Sequence, residues 1–540
     1  MLVDARTIAP GEVVEADVCV AGAGPAGLVT ALELAEAGAT VALLERGDEP
    51  LEGEVEGRYP ELASTRAGGI GGTAAVWEAE LAPETFGARY APLAPIDFEE
   101  REQVPWSGWP FGRAELDPWY ERAQGLCDAG PFDYDPAAAA SLGLDGRVAT
   151  GLFRFGLGAV FTQDHRGRVV RSPSVRVLDG ASALGVETDG GAVTGLRAAA
   201  EPGQDFAVRA RAYVLALGGI ENARFLQLAG LGGDLVGRFL MDHPTARCGL
   251  ELAEGRAAGL APYDVRDVDG RPVLGALGLP EEAMRREGLL SSGFFVVPAL
   301  DRELRAFASA KALATAARRR RLPPEPAREL RNVVGGIDTL ALAAHRRLVR
   351  SVPALRPTMR LSRRGRLLNT LGVGHVSGWS GLRGGGGRDF DVHHVVEQAP
   401  EPERRITVGT ARDRFGRPVA HLRFFVSERE LASLERSEEL LAAELERGGV
   451  GRLRTARELA PDGDLEASLH PSAHHHLGTT RMHPDPERGV VDADGRLHGL
   501  GNLYVTGGSV FPTGGYVNPT LTIVALAARL AAHLREEALR

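Results

Sequence analysis

Near the C-terminal end of the chain, a run of three histidines and a distant asparagine are the residues best suited to chemistry. His474, His475 and His476 are followed by Leu477 to Met482, and Asn518 stands about forty residues further on. An imidazole can take a proton from a reacting hydroxyl near neutral pH. Side chains so far apart in sequence act on one atom only if other elements hold both of them over it.

The histidine triplet also admits two less specific interpretations. Three consecutive histidines could form a metal tract, and any of them could be a buried, hydrogen-bonded core residue. Neighbouring side chains point to different faces, and no carboxylate or cysteine completes a ligand set, so we expect no metal site. The run Gly478 to Met482 favours a turn into a packed element.

The other end of the chain carries a dinucleotide-binding pattern. Residues 16–20 are predicted as a buried strand, Gly22, Gly24 and Gly27 open an apolar helix, and a second strand ends at Glu45. The glycines allow a tight turn, close approach to a pyrophosphate, and close packing of helix on strand, while the helix N-terminus attracts phosphate. Glu45 is placed to accept hydrogen bonds from ribose hydroxyls, which disfavours NADP. The pattern predicts a dinucleotide site without separating NAD from FAD; the alternative is an ordinary glycine turn.

Other glycine-rich segments suit the same kind of ligand. Residues 66–73 contain the run GGIGGT, typical of backbone pressed against a flat or phosphorylated ligand, although a surface loop is the alternative. A buried strand at 213–217 ends in Gly218 before a helix predicted at 223–228. A further strand at 503–505 ends in a glycine turn. The strand that ends at Gly218 and opens a helix suits a turn that faces a nucleotide.

The length, composition and net charge of the chain limit the classes of protein to which it can belong. A chain of 540 residues favours two large lobes, and 44% hydrophobic with 25% charged residues indicates a soluble globular protein. The net charge of -10 argues against a nucleic-acid partner. No apolar run spans a bilayer and no leader is visible, so we expect no membrane association and a cytoplasmic location. Cys19, Cys127 and Cys248 have no ligand or disulfide spacing.

The middle of the chain differs in composition from its two ends. Residues 302–366 are strongly basic, with helices predicted at Leu304–Leu322, which ends in Arg318–Arg321, and at Asp338–Val352. A solvated face or an oligomer contact is favoured, with a membrane surface or an acidic partner as the alternative. The remaining predicted elements are a helix at Leu116–Leu126, hairpin strands over Arg168–Ala198 and Asp205–Leu217, strands at Val395–Gln398, Arg405–Val408 and Val490–Asp492, an amphipathic helix at Ser427–Arg447, and a last helix from Asn518 to about Leu534.

Taken together, the motifs resemble the glucose-methanol-choline (GMC) oxidoreductases, a flavoprotein family. GAGPAG with the acidic residue after it resembles the FAD fingerprint, and GGIGGT with Trp77 resembles the second glycine motif. LALGGIENAR is similar to the mid-chain FAD segment, and HHHLGTTRM, GGSVFPT and NPTLT are similar to the C-terminal signature. PLAPIDFE and SGWPF are similar to the branch of pyranose oxidases and glycoside 3-oxidases. The match covers nearly the whole chain.

The resemblance implies an α/β, two-lobed fold. A Rossmann-like FAD-binding lobe would be assembled from residues 1–90, 165–248 and 466–540. A substrate-binding lobe, built on an antiparallel sheet with helices, would take residues 91–164 and 249–465.

The resemblance also implies the site residues. His475 stands three residues before Gly478, the position of the active-site histidine in family members, and Asn518 is the second member of the pair. His474 and His476 keep no assigned role. The implied cofactor-binding residues are Gly22, Gly24, Pro25, Ala26, Gly27, Glu45, Arg46, Gly71, Gly72, Thr73, Trp77, Gly218, Gly508, Ser509, Asn518, Pro519 and Thr520.

The implied reaction is the oxidation of an alcohol by hydride transfer to flavin N5. His475 would be the base and Asn518 would hold the substrate oxygen by a donated hydrogen bond. Some pyranose oxidases of the family bind FAD covalently through a histidine before the motif's tryptophan, but Val76 stands there in this chain, so noncovalent FAD is expected.

The resemblance favours a secondary alcohol of a sugar or glycoside, at pyranose C2 or C3, as substrate. A cyclitol or another non-sugar alcohol, a lyase of the same family, and a flavin-binding scaffold protein are the alternatives. Oxygen or a quinone-like acceptor would reoxidise the flavin. The exact substrate and the oligomeric state are left open.

Overall fold

The structure is a computed structural model. It describes residues 1–76, 79–82, 85–135, 142, 144, 148–157, 159–298 and 389–537, with short pieces at 309–310, 313–314, 316, 322, 326–335, 337 and 340. Trp77 and most of the basic region, including nearly all of the two helices predicted there and Arg318–Arg321, lie outside the described residues. What was predicted for them stays a prediction.

The strands are numbered in chain order. They are β1 Leu2–Asp4, β2 Val13–Glu15, β3 Val18–Ala21, β4 Val41–Glu45, β5 Gly53–Glu56, β6 Ala79–Ala82, β7 Thr85–Tyr90, β8 Ala149–Leu157, β9 Val175–Asp179, β10 Ser182–Asp189, β11 Ala192–Ala199, β12 Asp205–Arg209, β13 Ala212–Leu215, β14 Thr245–Leu252, β15 Arg266–Val268, β16 Arg271–Gly278, β17 Ser292–Pro298, β18 Asp389–Val396, β19 Arg405–Arg412, β20 Pro418–Arg423, β21 Gly451–Arg454 and β22 Leu503–Val505.

The α-helices are numbered in the same way. They are α1 Pro25–Glu36, α2 Leu62–Thr65, α3 Pro95–Phe98, α4 Arg113–Leu126, α5 Arg166–Arg171, α6 Gly218–Ala229, α7 Glu281–Glu287, α8 Pro326–Gly335, α9 Glu428–Arg447, α10 Ala456–Leu459, α11 Leu465–Ser468 and α12 Thr520–Glu537. In the part of the chain that is described, none of these helices has the length and apolar character that crossing a bilayer requires.

A parallel sheet forms the first layer of the fold. Its strand order is β1-β9-β4-β3-β13-β22, with every neighbouring pair parallel. The central strands β3, β4 and β13 are buried along their whole length, as expected for a sheet covered on both faces. Because parallel strands end at the same edge, the turns after β3, β4, β13 and β22 lie side by side. These are the turns that the glycine motifs occupy.

An antiparallel sheet forms the second layer. Its order is β21-β14-β18-β17-β16-β8-β7-β6, with β15 paired to β16. Phe294, Val296 and Val392 from its central strands are fully buried, and α9 packs on this core through Leu434 and Leu441. A parallel cofactor-type layer beside an antiparallel layer confirms the predicted mixed α/β, two-lobed fold class.

Two smaller sheets complete the described strands. β10-β11-β12-β2 extends the hairpin predicted in the sequence, and β19-β20-β5 joins a late hairpin to an early strand. Residues 79–82 and 85–90, grouped with the FAD lobe in the sequence, pair within the antiparallel sheet as β6 and β7. The division of the chain into lobes stays a prediction.

Some element predictions need correction. Residues 490–492 do not form a strand; Val491 takes part only in isolated bridges, because turns at Asp485 and Asp492 interrupt any ladder. The strand predicted at 213–217 is β13, which ends at Leu215. The helix predicted from residue 223 begins at Gly218, after two intervening residues. Because glycine has a low helix propensity, the prediction placed the start of this helix after the two glycines.

Two further bounds differ from the prediction. Residues 168–171 are the end of helix α5 instead of the beginning of a strand. The strand predicted at 395–398 runs from Asp389 to Val396, because its ladder partner β17 begins at Ser292 opposite Val396. The amphipathic helix is confirmed as α9, with Ser427 and Glu430 forming its capping box.

Candidate active site

A cavity of about 350 Å³ opens at the carboxyl edge of the parallel sheet. It is lined by the turn after β3, by Glu45 and Arg46 at the end of β4, and by Leu217 before α6. The turn between β19 and β20, which includes Arg414 and Phe415, lines it on another side. The cavity therefore lies where a doubly wound sheet binds a nucleotide.

The glycines around this cavity fit a cofactor. A Cβ on Gly22 would lie 2.4 Å from the carbonyl oxygen of Ala216, and one on Gly27 would lie 1.9 Å from the oxygen of Gly22. Both glycines are therefore required for packing alone. A Cβ on Gly24 or on Gly218 would meet no protein atom within 4 Å. These two positions face open space that a bound group can fill, so the residues present fit a dinucleotide such as FAD.

Glu45 lies in the predicted place but already has protein partners. Its Oε2 accepts a hydrogen bond from Ala23 N (3.0 Å), and its Oε1 accepts from Gly47 N and Gly69 N (3.1 Å each). Burial raises the pKa of this carboxyl, while the three backbone donors lower it. The carboxylate thus ties the turn after β3 to the second glycine motif, and its role toward a ribose stays a prediction.

A short antiparallel bridge brings two distant segments together at the second half of the site. Met241 N donates to Leu477 O (3.0 Å) and Leu477 N donates to Met241 O (2.9 Å). A second bridge pairs Thr245 with His470 in the same sense. The residues between the two bridges on one segment must therefore face those between them on the other. This arrangement sets Asp242 and His243 against the histidine triplet.

The buried carboxylate of Asp242 holds the triplet's backbone in place. Its Oδ1 accepts from the backbone N of His243 (2.7 Å), Ala473 (3.0 Å) and His475 (2.9 Å). Its Oδ2 accepts from Tyr59 OH (2.6 Å) and from Ser472 Oγ. Burial acts to raise the pKa of Asp242, but the neighbouring histidines and these donors outweigh it and hold the pKa well below its ordinary range. Asp242 is therefore a permanent anion.

His474 introduces a bend just before the central histidine. Its φ of +63° lies in the left-handed region, which is uncommon for a histidine. Its backbone N donates to Ser472 Oγ at 2.9 Å. Such strain persists where surrounding contacts determine the conformation, and here Asp242 supplies them.

His475 contacts a second histidine on one side and Asn518 on the other. Its Nδ1 lies 2.8 Å from His243 Nδ1, and its Nε2 lies 3.4 Å from Asn518 Nδ2. Of two Nδ1 atoms at hydrogen-bond distance, one must carry the hydrogen. If His475 carries it, the Nε2 lone pair of His475 is free to accept a proton, and His243 is the acceptor that stabilises this tautomer.

The electrostatic surroundings keep the triplet neutral. Burial, followed by the neighbouring His243, lowers the pKa of His475 well below its ordinary range, against an opposing effect of Asp242. Burial likewise lowers the pKa of His476 to about 4. A neutral imidazole can act as a base, whereas an imidazolium cannot. Of the triplet, His475 is the member that contacts Asn518.

Asn518 lies two residues before α12 and has a defined orientation. Its Oδ1 accepts a hydrogen bond from Arg89 Nε at 2.9 Å. Arg89 comes from β7 in the antiparallel sheet, so the contact joins the two layers of the fold. His475, Asn518 and Arg89 are all only half-buried.

The loop that leads to Asn518 is supported by the segments PLAPIDFE and SGWPF. Trp109 Nε1 donates to Thr513 Oγ1 (2.9 Å), and Thr513 Oγ1 donates to the backbone oxygen of Asp97 (2.5 Å). Trp109 also packs against Phe511, with ring centroids 5.1 Å apart. These two segments thus hold Phe511 and Thr513 in place, so they have a structural role apart from any substrate contact.

The remaining predicted cofactor residues surround the two halves of the site. Pro25, Ala26 and Gly27 form the first turn of α1, and Gly72 lies against Gly24, so that a Cβ added to Gly72 would lie 3.0 Å from Gly24 Cα. Other predicted residues make protein contacts: Ala67 N donates to Thr73 Oγ1, Gly71 packs on Thr162, Gly508 packs on Leu477, Asn222 donates to Ser509 Oγ, and Pro519 O accepts from Ile523 N ahead of the buried Thr520. Their roles toward a cofactor stay predictions.

Sequence reasoning missed several residues of this site. Asp242 and His243 lie in an irregular segment without a helical or strand period, and Arg89 lies in a short strand. Tyr59 and the turn at 413–417 were likewise not identified. These residues come together through pairing between distant segments, and such pairing produces no regular spacing in the sequence. The one local signal was that an aspartate and a histidine are adjacent at residues 242 and 243.

Comparisons with known proteins agree with this architecture. Residues 400–527 match the family model described as GMC oxidoreductase, and residues 15–54 match an FAD binding domain model. A 6'''-hydroxyparomomycin C oxidase from Streptomyces lividus is 33% identical over 150 residues, which is 27% of this chain and 26% of that protein. A C-glycoside 3-oxidase from Microbacterium trichothecenolyticum is 36% identical over 128 residues, 23% of each chain. The matched segments thus span about a quarter of these curated relatives.

A comparison of whole structures extends the likeness to the full fold. The crystal structure of a formate oxidase superposes with a TM-score of 0.55 at 15% identity, and the match covers 98% of this chain and 99% of that one. At this identity the match shows a shared fold.

Proposed function

We propose that the chain is an FAD-dependent enzyme of the GMC oxidoreductase family that oxidises a CH–OH group of a sugar or glycoside, which the two family-model matches support. The finer proposal is that a secondary alcohol at pyranose C2 or C3 becomes a ketone. The electrons then pass to oxygen or to a quinone-like acceptor.

One observation carries the proposal: His475 Nε2 and Asn518 Nδ2 lie 3.4 Å apart, and both residues are only half-buried. A proton acceptor beside an amide donor is the pair that an alcohol oxygen needs. The hydroxyl can donate to the imidazole while its oxygen accepts from the amide. The curated relatives named as oxidases of an aminoglycoside and of C-glycosides support a carbohydrate substrate.

The chain's own residues handle the proton. His475 accepts the hydroxyl proton at Nε2, and its Nδ1–H is stabilised by the ring of His243. Asn518 donates from Nδ2 to the substrate oxygen and so fixes the direction of the carbinol C–H bond. Bound FAD supplies the acceptor for the hydride. The anion of Asp242 stabilises His475 once it is protonated, as the opposing effect of Asp242 on its pKa implies.

The cofactor is proposed to be held without a covalent bond. Val76 occupies the sequence position at which a histidine attaches FAD in some pyranose oxidases of the GMC family. Precipitation of the purified holoprotein with acid tests this: the flavin should stay in the supernatant. Flavin that remains in the protein pellet would overturn the proposal.

The substrate proposal is tested by anaerobic reduction of the enzyme-bound flavin. Monosaccharides, O-glycosides and C-glycosides are mixed with holoenzyme, the flavin absorbance is followed, and the product's ring position is assigned by NMR. We expect flavin bleaching and a ketone at C2 or C3. His475→Ala should abolish bleaching, while His498→Ala, a control histidine that contacts the His483 carbonyl, should not affect it.

Other outcomes would contradict this proposal. Oxidation at C6, the type of position named in a relative called paromamine 6'-oxidase, would overturn the ring-position assignment. Bleaching only by a non-sugar alcohol or a cyclitol would overturn the substrate class, and turnover without bleaching would identify a lyase. If His475→Ala still reduced the flavin while His474→Ala or His476→Ala did not, the assignment of the base would be wrong.

A further inference from the structure

The guanidinium of Arg89 occupies an unusual environment for an arginine. It lies 4.3 Å from the ring centroid of Phe295 and 5.1 Å from that of Phe153, so aromatic faces contact it from the antiparallel sheet. Among the described residues no carboxylate lies within ion-pair distance of it. Burial lowers the pKa of Arg89 to about 10, which leaves it cationic at neutral pH. A positive charge is thus held beside Asn518 by π-faces instead of by an acid.

This charge makes a single directed contact with the catalytic pair. Arg89 Nε donates to Asn518 Oδ1 at 2.9 Å. An arginine has no acceptor atom, so the amide atom that faces it must be the oxygen. The other end of the amide, Nδ2, then faces His475. The contact therefore determines that Nδ2 is the end of the Asn518 amide that faces a substrate oxygen. The shape of the amide alone does not distinguish its oxygen from its nitrogen.

The same guanidinium acts on the oxygen that reacts. When a hydroxyl gives its proton to His475, negative charge develops on the oxygen that Asn518 holds. A fixed cation next to that amide stabilises the developing charge without reorganisation of solvent. It also polarises the amide through the Nε–Oδ1 bond, which strengthens the hydrogen bond that Nδ2 donates.

From these contacts we infer that Arg89 is a positioning residue of the alcohol oxidation: it fixes the Asn518 amide with Nδ2 toward the substrate and supplies the positive charge that stabilises the deprotonating oxygen. This inference rests on the proposed function. It adds a residue from β7 to the pair on the C-terminal segment, and it gives the aromatic faces of Phe153 and Phe295 a purpose.

The test compares Arg89→Met and Arg89→Lys with Arg529→Met. Arg529 also stacks on an aromatic ring, at 4.8 Å from the centroid of Phe111, but lies on α12 away from the pair. We expect Arg89→Met to lower the rate of anaerobic flavin reduction about 10- to 100-fold, the cost of a lost hydrogen bond to a charged group. Arg529→Met should reduce flavin at the normal rate.

The pH dependence separates positioning from a merely structural role. The groups that face His475 are Asp242, His243, His476 and Arg89, and the positive charge of Arg89 lowers the pKa of His475. The acid limb of the rate profile should therefore move to higher pH in Arg89→Met and stay in place in Arg89→Lys. A titration of ¹³C-labelled His475 in the holoprotein, assigned with His475→Gln, gives the same shift without turnover.

A double-mutant cycle completes the test. In an Asn518→Ala background, Arg89→Met should lower the rate by a smaller factor than in the wild type, because the amide that Arg89 orients is gone and only the effect of its charge is left. Full additivity, or an unchanged acid limb and histidine titration in Arg89→Met, would overturn the inference. Failure of every alcohol to reduce the wild-type flavin would instead overturn the proposed function, while the histidine titration would still test Arg89.

Discussion

Replacing His243 by leucine tests how the reactive form of His475 is selected. In the structure His243 Nδ1 lies 2.8 Å from His475 Nδ1, and both rings are packed edge to face with centroids 4.9 Å apart. Leucine keeps bulk at this buried position but offers no acceptor. The Nδ1–H of His475 would then be buried without a partner, which costs about 1–3 kcal/mol.

This free-energy cost destabilises the reactive tautomer of His475, which carries its hydrogen on Nδ1. With about 1.36 kcal/mol for each factor of ten, the population with a free Nε2 lone pair drops roughly 5- to 160-fold. The rate of anaerobic flavin reduction by the best sugar, measured by stopped flow at saturating concentration, should fall by the same factor. The flavin content should stay normal, because His243 does not line the cofactor cavity.

The matched control is His243→Asn. Asparagine carries an oxygen at about the position of the histidine Nδ1 and can accept the same hydrogen bond. It should keep most of the rate that leucine loses. If the leucine variant reduced flavin within twofold of the wild-type rate at every pH, the reasoning about the tautomer would be refuted.

Three other predictions follow from particular contacts. Gly219→Ala would place a methyl 2.1 Å from the backbone oxygen of His476, so we expect about 1–3 kcal/mol lower stability and at least tenfold slower flavin reduction; a normal apparent Tm and rate would contradict this. Gly24→Val would fill the open space at the turn after β3, and FAD should be lost on gel filtration, whereas full retention would argue against the cavity as the FAD site. Burial, and then the charge of Glu397, raise the pKa of Asp97 to about 7, above its unfolded value, so the folded protein binds this proton more tightly and stability falls as pH rises from about 4 to 7. Asp97→Asn should flatten that fall in apparent Tm between pH 5 and 7; an unchanged slope would contradict it.

The fold could be predicted well wherever the signal is local. The strand, glycine turn and helix at residues 18–36 follow from hydrophobic runs and from backbone positions that only glycine tolerates. Ser427 and Glu430 mark the start of α9 by a capping box within four residues. The strand predicted around Val491 was wrong, because a strand forms only where a partner strand pairs with it, and here the chain forms turns and isolated bridges.

By itself the sequence indicated a resemblance to the GMC oxidoreductases, the parallel layer with its glycine turns, and the two C-terminal residues that could share a substrate oxygen. Only the tertiary structure decided their surroundings. His243 stands 232 residues before His475, and Arg89 stands 429 residues before Asn518. The first contact depends on the bridge between Met241 and Leu477, and the second on the meeting of the two layers. Hydrogen-bond partners at such separations are set by packing of whole elements, for which neighbouring residues carry no periodic signal.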